Sequence, residues 1–362
     1  MTIASSGAIS FSDLRAEFVG GSSAISFSDL YRGGSNVRAK ASNNFATNLA
    51  AAVPTSGAIS VQNFLGTAKA FRITYGTGAA AANYQNQNAA TLFGDDYAVN
   101  YPKEIVIGSG VELGATSPSD EALELPAGGA GLITITNNGT MSGAGGTAGG
   151  GTGGDAFESS VNCTIINNGI IRAGGGGGGA GGNGGNGTYS SVGYGYNAST
   201  RFWQYNCGNI QVQYGPGGYN VGYFTFQGYW WQTSYGSYYR GTIQSGTLYE
   251  CYGTSKFQLG ITSTYNTTGG SGGAGGKGQG YISAAASGSA GANGSGQNAG
   301  AGGTGGTGGD YGAAGGTGNT GVNGNSTNGA AGGAGGAAGK YARESAGTLT
   351  FTNNGTVLGN AP

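Results

Sequence analysis

Between residues 300 and 324 glycine falls at every third position without exception: Gly300, Gly303, Gly306, Gly309, Gly312, Gly315, Gly318, Gly321 and Gly324. A flexible glycine-rich linker has no reason to hold that register. Three residues per turn is the polyproline II repeat, in which a glycine at each third place lets neighbouring chains touch backbone to backbone. Collagen uses the same logic with abundant proline, yet no proline lies between Gly217 and Ala361, which disfavours a triple helix. The sequence therefore predicts a bundle of polyglycine II helices folded from one chain, with each N–H and C=O satisfied by a lateral neighbour. Runs at 142–154, 173–187, 269–280 and 288–339 supply its members.

Disorder is the alternative for a chain with 84 glycines in 362 residues and 8% charge. It needs high net charge and few aromatics, whereas the formal net charge is -1 and aromatics reach 10%. Fourteen basic residues face 15 acidic ones with no lysine or arginine run, so no footprint for nucleic acid or anionic lipid is present. The start, MTIASSGAIS, has neither a basic n-region nor an apolar core, and no apolar stretch is long enough to span a bilayer. Synthesis in the cytosol without a signal peptide or membrane insertion is expected.

Histidine is absent, which removes the usual general base, the commonest metal ligand and every Ser-His-Asp arrangement. Carboxylate pairs suited to glycoside hydrolysis remain at Asp95 with Asp96, at Asp120 with Glu121 and Glu124, and at Asp155 with Glu158. Solvated loop charges are the plainer reading, and no Asp or Glu occurs between Glu158 and Glu250. A non-enzyme without cofactor or metal is expected. Cys163, Cys207 and Cys251 lack metal-type spacing; one bridge, Cys207 with Cys251, is the most they allow.

Along the chain, a first region (1–67) repeats one pattern three times: Ile9-Ser10-Phe11 leading to Leu14, Ile25-Ser26-Phe27 leading to Leu30, and Ile59-Ser60-Val61 leading to Phe64. Each copy reads as a short apolar strand, then a Ser or Asp cap opening a helical turn. The copies either pack on one another or offer three quasi-equivalent plugs to a three-fold symmetric partner. A second region (68–127) carries alternating segments, Phe71–Tyr75 and Glu104–Ile107, that fit half-buried strands of a small β-rich linker domain. The third (128–362) opens and closes on Leu-Ile-Thr-Ile-Thr-Asn-Asn-Gly (132–139), Cys-Thr-Ile-Ile-Asn-Asn-Gly (163–169) and Leu-Thr-Phe-Thr-Asn-Asn-Gly (349–355). Asn-Gly between apolar strands predicts hairpins, both residues tolerating positive φ. Those segments would hold the two ends of the glycine-rich region side by side. The expected fold class is mostly irregular and β with little helix: a small N-terminal β-rich attachment region, then a polyglycine II sandwich bearing exposed aromatic-rich loops.

Within the glycine-rich region, 188–268 is abruptly aromatic. Tyr194, Tyr196, Trp203, Tyr219, Tyr223, Tyr229, Trp230, Trp231, Tyr235, Tyr238 and Tyr239 alternate with Gly, Ser and Asn. This is a paratope-like composition, in which rigid amphipathic rings give contact area at low entropic cost. The rings either meet a receptor or cover the glycine slab. Arg201, Arg240 and Lys256 are its cations.

The Asn-Asn-Gly segments with their glycine runs, above all Ile165 to Gly179, resemble the T-even-type phage distal long-tail-fibre adhesins. The resemblance covers roughly 128–362. It implies an N-terminal domain seated on a trimeric fibre shaft at the virion's fibre tip, a polyglycine II sandwich, and distal variable loops that bind a host surface receptor, either an outer-membrane protein or a glycan. Those loops map onto 188–268, with 155–162 and 281–286 as lesser loops. The N-terminal repeats depart from the family's tryptophan-rich attachment segments; Ile9, Phe11, Leu14, Ile25, Phe27, Leu30, Ile59, Val61 and Phe64 are the candidate fibre contacts. A structural fibre cap, a Gly-X-X ice-binding protein and a depolymerase are the alternative classes.

Overall fold

The computed structural model describes residues 3–20, 24–40, 45–76, 84–204, 222–226, 229–233, 238–240 and 249–362, and for the strands within 192–262 the backbone alone. It is rich in strands, with few helical turns.

Each N-terminal repeat forms a capped helical turn: Phe11–Leu14, Phe27–Leu30 and Val61–Phe64. In each, the serine and the residue three positions on form a capping box; the Ser10 N–H donates to Asp13 Oδ2 (2.7 Å) and Ser60 N–H to Asn63 Oδ1 (2.8 Å). The expected strands before the turns do not form, because this local capping satisfies the backbone without a partner. Leu14, Leu30 and Phe64 are fully buried in one core with Phe18, Val37 and Val53, so the repeats pack on one another. These three side chains, read as candidate fibre contacts, instead fill the unit's own core and are not on its surface. Ile9, Phe11, Ile25, Phe27, Ile59 and Val61 stay half-buried on the outside of that core, Phe11 and Phe27 edge to face at 4.9 Å.

The unit caps a parallel β-helix. Thr47–Asn48 pairs antiparallel with Phe71–Tyr75, and Lys69 Nζ donates to the Phe18 carbonyl (2.8 Å). Five rungs follow: Phe71–Tyr75, Tyr84–Gln85 and Gln87–Asn88; Lys103–Ile107, Glu112–Gly114 and Leu123–Leu125; Ile133–Asn137, Thr140–Ser142 and Phe157–Ser159; Cys163–Asn167, Ile170–Arg172 and Arg343–Glu344; Leu349–Asn353 and Thr356–Leu358. Corresponding strands stack in register into three parallel sheets. Alternate residues point inward, so Ile105, Ile135 and Ile165 stack with Leu113, Met141, Ile171, Leu123 and Phe157 in a continuous core. Each fully buried aliphatic or aromatic side chain contributes about 1.5–3 kcal/mol. The buried Lys103 ammonium donates to the carbonyls of Val99, Tyr101 and Ala130 at 2.6–3.0 Å, stapling two rungs; burial pulls its pKa down to about 8.

Two expectations are corrected here. The break expected at residue 127 does not exist, since Lys103–Ile107 pairs directly with Ile133–Asn137 in one sheet. The Asn-Asn-Gly segments are not hairpins: each turns the chain from one sheet to the next, and none of their residues has positive φ. Asparagine is there to make ladders. Asn137 Nδ2 donates to Asn167 Oδ1 and Asn167 Nδ2 to Asn353 Oδ1, each at 2.7 Å, and an outer ladder joins Asn138, Asn168 and Asn354 at 3.0 Å. Glycine is there because rungs stack: a Cβ on Gly169 would lie 2.1 Å from the Gly139 carbonyl oxygen, and one on Gly355 2.1 Å from that of Gly169.

The glycine runs extend the rungs sideways. Gly143, Gly146 and Gly149 donate to the carbonyls of Arg172, Gly175 and Gly178, continuing the ladder of Thr140–Ser142 with Ile170–Arg172 at every third residue instead of every second. The run 174–186 lies at the centre. Gly175, Gly178, Gly181 and Gly184 donate to run 269–280, Gly176, Gly179, Gly182 and Gly185 donate to run 313–324, and Gly174 and Gly177 donate to 151–154. Its carbonyls accept from 143–149, from 300–309 and from 330–339. Six neighbours thus surround it, three reached by donors and three by acceptors. Beyond Gly177 the neighbour at 151–154 has ended, and on that face glycine gives way to exposed Ala180, Asn183 and Asn186.

Candidate functional site

The hydrogen-bond register places the aromatic segment. Run 174–186 leaves the β-helix at Arg172; its last residues bond with Gly270 and Val322, its first with Gln279 and Ala313. The segment 187–267 therefore leaves and re-enters the lattice at the end remote from the β-helix. The lesser loops expected at 155–162 and 281–286 lie elsewhere. Phe157–Ser159 is a strand of the third rung, and Tyr281 sits at the β-helix end, donating its N–H to the Gly143 carbonyl (3.1 Å). Both corrections have the same cause: each segment follows a run, 151–154 or 269–280, that lies antiparallel to 174–186 and so returns to the β-helix.

The base of the aromatic segment is held by polar side chains from two lattice turns and the run below. The Thr188 carbonyl accepts from Asn298 Nδ2 and Asn325 Nδ2, both at 2.9 Å, while Thr188 N–H donates to Asn325 Oδ1 (2.7 Å). Thr267 Oγ1 donates to the Gln297 carbonyl (2.9 Å), Thr268 N–H to Ser295 Oγ (3.1 Å), and Gly269 N–H to Asn186 Oδ1 (3.0 Å). Tyr189 and Tyr265 stack across the base at 5.2 Å. Asn298, Asn325 and Ser295 escaped sequence reasoning; the only signal was polar residues interrupting the glycine period at 295–298 and 325–328.

Beyond the base, Gly187–Gln204 and Tyr249–Thr267 pair as a long antiparallel ribbon, and Gly222–Phe226, Tyr229–Thr233 and Tyr238–Arg240 form a three-stranded sheet. Tyr194, Tyr196 and Trp203 lie on the ribbon; Tyr223, Tyr229, Trp230, Trp231, Tyr238 and Tyr239 lie in the sheet, with Trp230 opposite Arg240 and Trp231 opposite Tyr239. Arg201 pairs with Tyr252 and Lys256 with Tyr196 in the ribbon. Tyr219, Tyr235 and Cys207 lie outside the described residues, and with Cys207 the one bridge that the cysteines allow, to Cys251. Cys163 is a free, buried thiol of the fourth rung, its pKa raised by burial.

Five of the seven carboxylates weighed for catalysis are tied into structure. Asp96 is fully buried, 3.8 Å from Arg38 Nε. Glu121, Asp155 and Glu158 converge on Arg343 at 2.6–3.0 Å, and Glu124 accepts from Asn88 Nδ2 (2.8 Å). Among the described residues no helix is long and apolar enough to cross a membrane.

Residues 70–247 match the model of a family described as phage tail fibre adhesin Gp38. The match runs from the first rung into the aromatic segment, and the resemblance read from the Asn-Asn-Gly repeats and glycine runs is to the same class of protein. Among solved structures the chain is similar to the crystal structure of the gp37-gp38 adhesin tip complex of the bacteriophage S16 long tail fiber. The identity is 18%, 85% of this chain and 88% of that chain are covered, and the TM-score is 0.34. No curated protein matches the chain.

Proposed function

We propose, from the match of residues 70–247 to the phage tail fibre adhesin family, that this chain is the tip of a tail fibre and grips a host surface receptor with the aromatic segment 188–268. The observation that carries the reading is the position of that segment. It emerges from the far end of the lattice, on a base fixed by Asn298, Asn325 and Ser295, while the N-terminal unit pairs with the first rung of the β-helix. Attachment and recognition are thereby separated. The glycine lattice between is a polyglycine II sandwich: its hydrogen bonds repeat every third residue and join neighbouring runs of the one chain, as that geometry requires. At about 3.1 Å per residue, the twelve steps from 174 to 186 hold the binding segment roughly 37 Å from the β-helix.

Tyr194, Tyr196, Trp203, Tyr219, Tyr223, Tyr229, Trp230, Trp231, Tyr235, Tyr238 and Tyr239 are the candidate contacts, because large aromatics dominate binding energy at interfaces. The fibre end is the face of Ile9, Phe11, Ile25, Phe27, Ile59 and Val61, half-buried side chains set on three similar turns. Three copies of one motif on a single chain suit a trimeric shaft, each turn meeting one of its subunits. The protein works by binding, without catalysis.

The test is adsorption of purified protein to a panel of bacterial cells, comparing the full chain with a variant in which 192–262 is replaced by a short Gly-Ser connection. The anchored base at 188 and 267 is kept. Binding by the full chain and loss in a folded variant supports the proposal. Equal binding by both places recognition elsewhere, and failure of both across the panel favours a structural fibre cap.

A further inference from the structure

The chain leaves the β-helix after Arg172 and rejoins it at Arg343, and one guanidinium fastens the return. Arg343 Nη2 lies 2.7 Å from Glu121 Oε1 and 2.6 Å from Glu158 Oε2, and Nε lies 3.0 Å from Asp155 Oδ2. The carboxylates come from the second and third rungs, so this cluster ties the returning limb across two turns of the β-helix. The limb's neighbours hold the same acids: Ser345 Oγ donates to Glu158 Oε1, and Lys340 N–H to Asp155 Oδ1 (2.6 Å). Two glutamates meeting one nitrogen bring their oxygens close together. With both ionised, like charges face each other where Glu121 is only 8% exposed.

We propose that Glu121, Glu158 and Arg343 form a proton-dependent latch between the glycine-rich insertion and the β-helix, closed while the two glutamates share a proton and loosened when it is lost. One shared proton turns Glu121 into a donor to Glu158 and leaves the glutamate pair with one negative charge, beside Asp155, against the guanidinium, an arrangement known for carboxyl pairs that cannot both ionise. Asp120 and Glu124, which line the same polar cavity of about 320 Å³, add further negative charge from the second rung. Asp155 adds more from the third rung and Glu344 from the returning limb, where Lys340 is the second cation; the first rung offers only Asn86, Gln87 and Asn88.

The direction of the switch follows from the environment. Burial, then the neighbouring Glu158, pushes the Glu121 carboxyl up to about 7, with Arg343 opposing. Burial also works to raise Glu158, but hydrogen bonds from Ser345 and Glu121 and the Arg343 charge hold it below the usual carboxylate value. A carboxyl raised in the closed state favours closure fully below its ordinary value near 4.5 and loses that contribution as pH rises through about 7. The latch is therefore closed in mildly acidic solution and weakened in alkaline solution.

Hydrogen exchange of the full chain tests this, with rates corrected for intrinsic base catalysis. Protection of the amides of 341–346 is expected to fall at least about ten-fold from pH 5 to pH 8, while that of Ile133–Asn137 stays constant. Glu121→Gln, whose amide donates like the protonated acid, is expected to keep 341–346 protected at both pH values. Constant protection of 341–346 in the wild-type chain overturns the proposal without recourse to any variant. An undiminished pH response in a folded Glu121→Gln protein overturns it equally, because the proton then sits elsewhere.

Discussion

Gly181 sits midway along the central glycine run, where the lattice leaves no room for a methyl group. A Cβ there would lie 2.0 Å from the Gly303 carbonyl oxygen and 2.6 Å from its carbon, whereas carbon and oxygen normally approach to about 3.3 Å. The two runs would have to separate by more than 1 Å, by that difference. Such a shift carries the 2.8 Å bond from Gly303 N–H to the Gly182 carbonyl past the distance at which it holds, leaving both groups unpaired, and strains the 2.8 Å bond from Gly181 N–H to the Gly273 carbonyl of the next run. The bond from Gly182 N–H to the Asn319 carbonyl (2.9 Å) is strained with them. Each buried group left unpaired costs about 1–3 kcal/mol, and the alanine recovers only about 0.4–1 kcal/mol from the unfolded chain. Gly181→Ala is therefore expected to destabilise the lattice by about 3–5 kcal/mol, a large share of the total for most domains. Ala180→Gly, at the adjacent exposed position, is the control and is expected to cost about 1 kcal/mol or less. Guanidinium denaturation followed by circular dichroism reads both variants, with the lattice and β-helix transitions fitted separately if they part. Equal midpoints for Gly181→Ala and wild type would refute the reasoning, since the lattice would then be loose enough to admit a side chain.

Removing the middle of the inner asparagine ladder with Asn167→Ala takes one partner from the Asn137 amide, which keeps the Ile170 carbonyl, and one from Asn353 Oδ1, which keeps the Gly355 N–H; a loss of about 1–3 kcal/mol in thermal or chemical unfolding is expected. Asn168→Ala, in the exposed outer ladder, should cost about 1 kcal/mol or less, and equal losses for the two would show that burial is not what matters. Asn298→Ala combined with Asn325→Ala frees the Thr188 carbonyl; cell adsorption should weaken while the melting of the β-helix stays unchanged. Phe27→Asp, on the outer face of the N-terminal unit, should abolish co-purification with a trimeric shaft protein without altering adsorption of the free chain to cells.

Particular residues show how far the sequence could be read. Ser10 with Asp13 and Ser60 with Asn63 announce their turns because a capping box closes within four residues. The candidate aromatic segment was equally visible as a block of composition, but its anchors were not, since Asn325 meets Thr188 across 137 positions. Leu14, Leu30 and Phe64 were read as contacts for a partner, and only the packing shows them turned into their own core. The carboxylates were weighed as acid–base pairs until Arg343, 222 positions from Glu121, took them up.

Glycine at every third position determined by itself that the runs pack laterally, because the demand for unfilled space and for outside hydrogen-bond partners is a property of the backbone and recurs with its period. Only the tertiary structure decided what the Asn-Asn-Gly segments do. A hairpin and a corner of a parallel β-helix begin with the same apolar strand and the same tight turn, and differ only in the partner the strand finds. For Asn167 that partner is Asn353, 186 positions along the chain, beyond the reach of any local signal. The corner wins because stacked rungs bury the apolar face of the chain's alternating pattern in one continuous core and let each asparagine bond to the next.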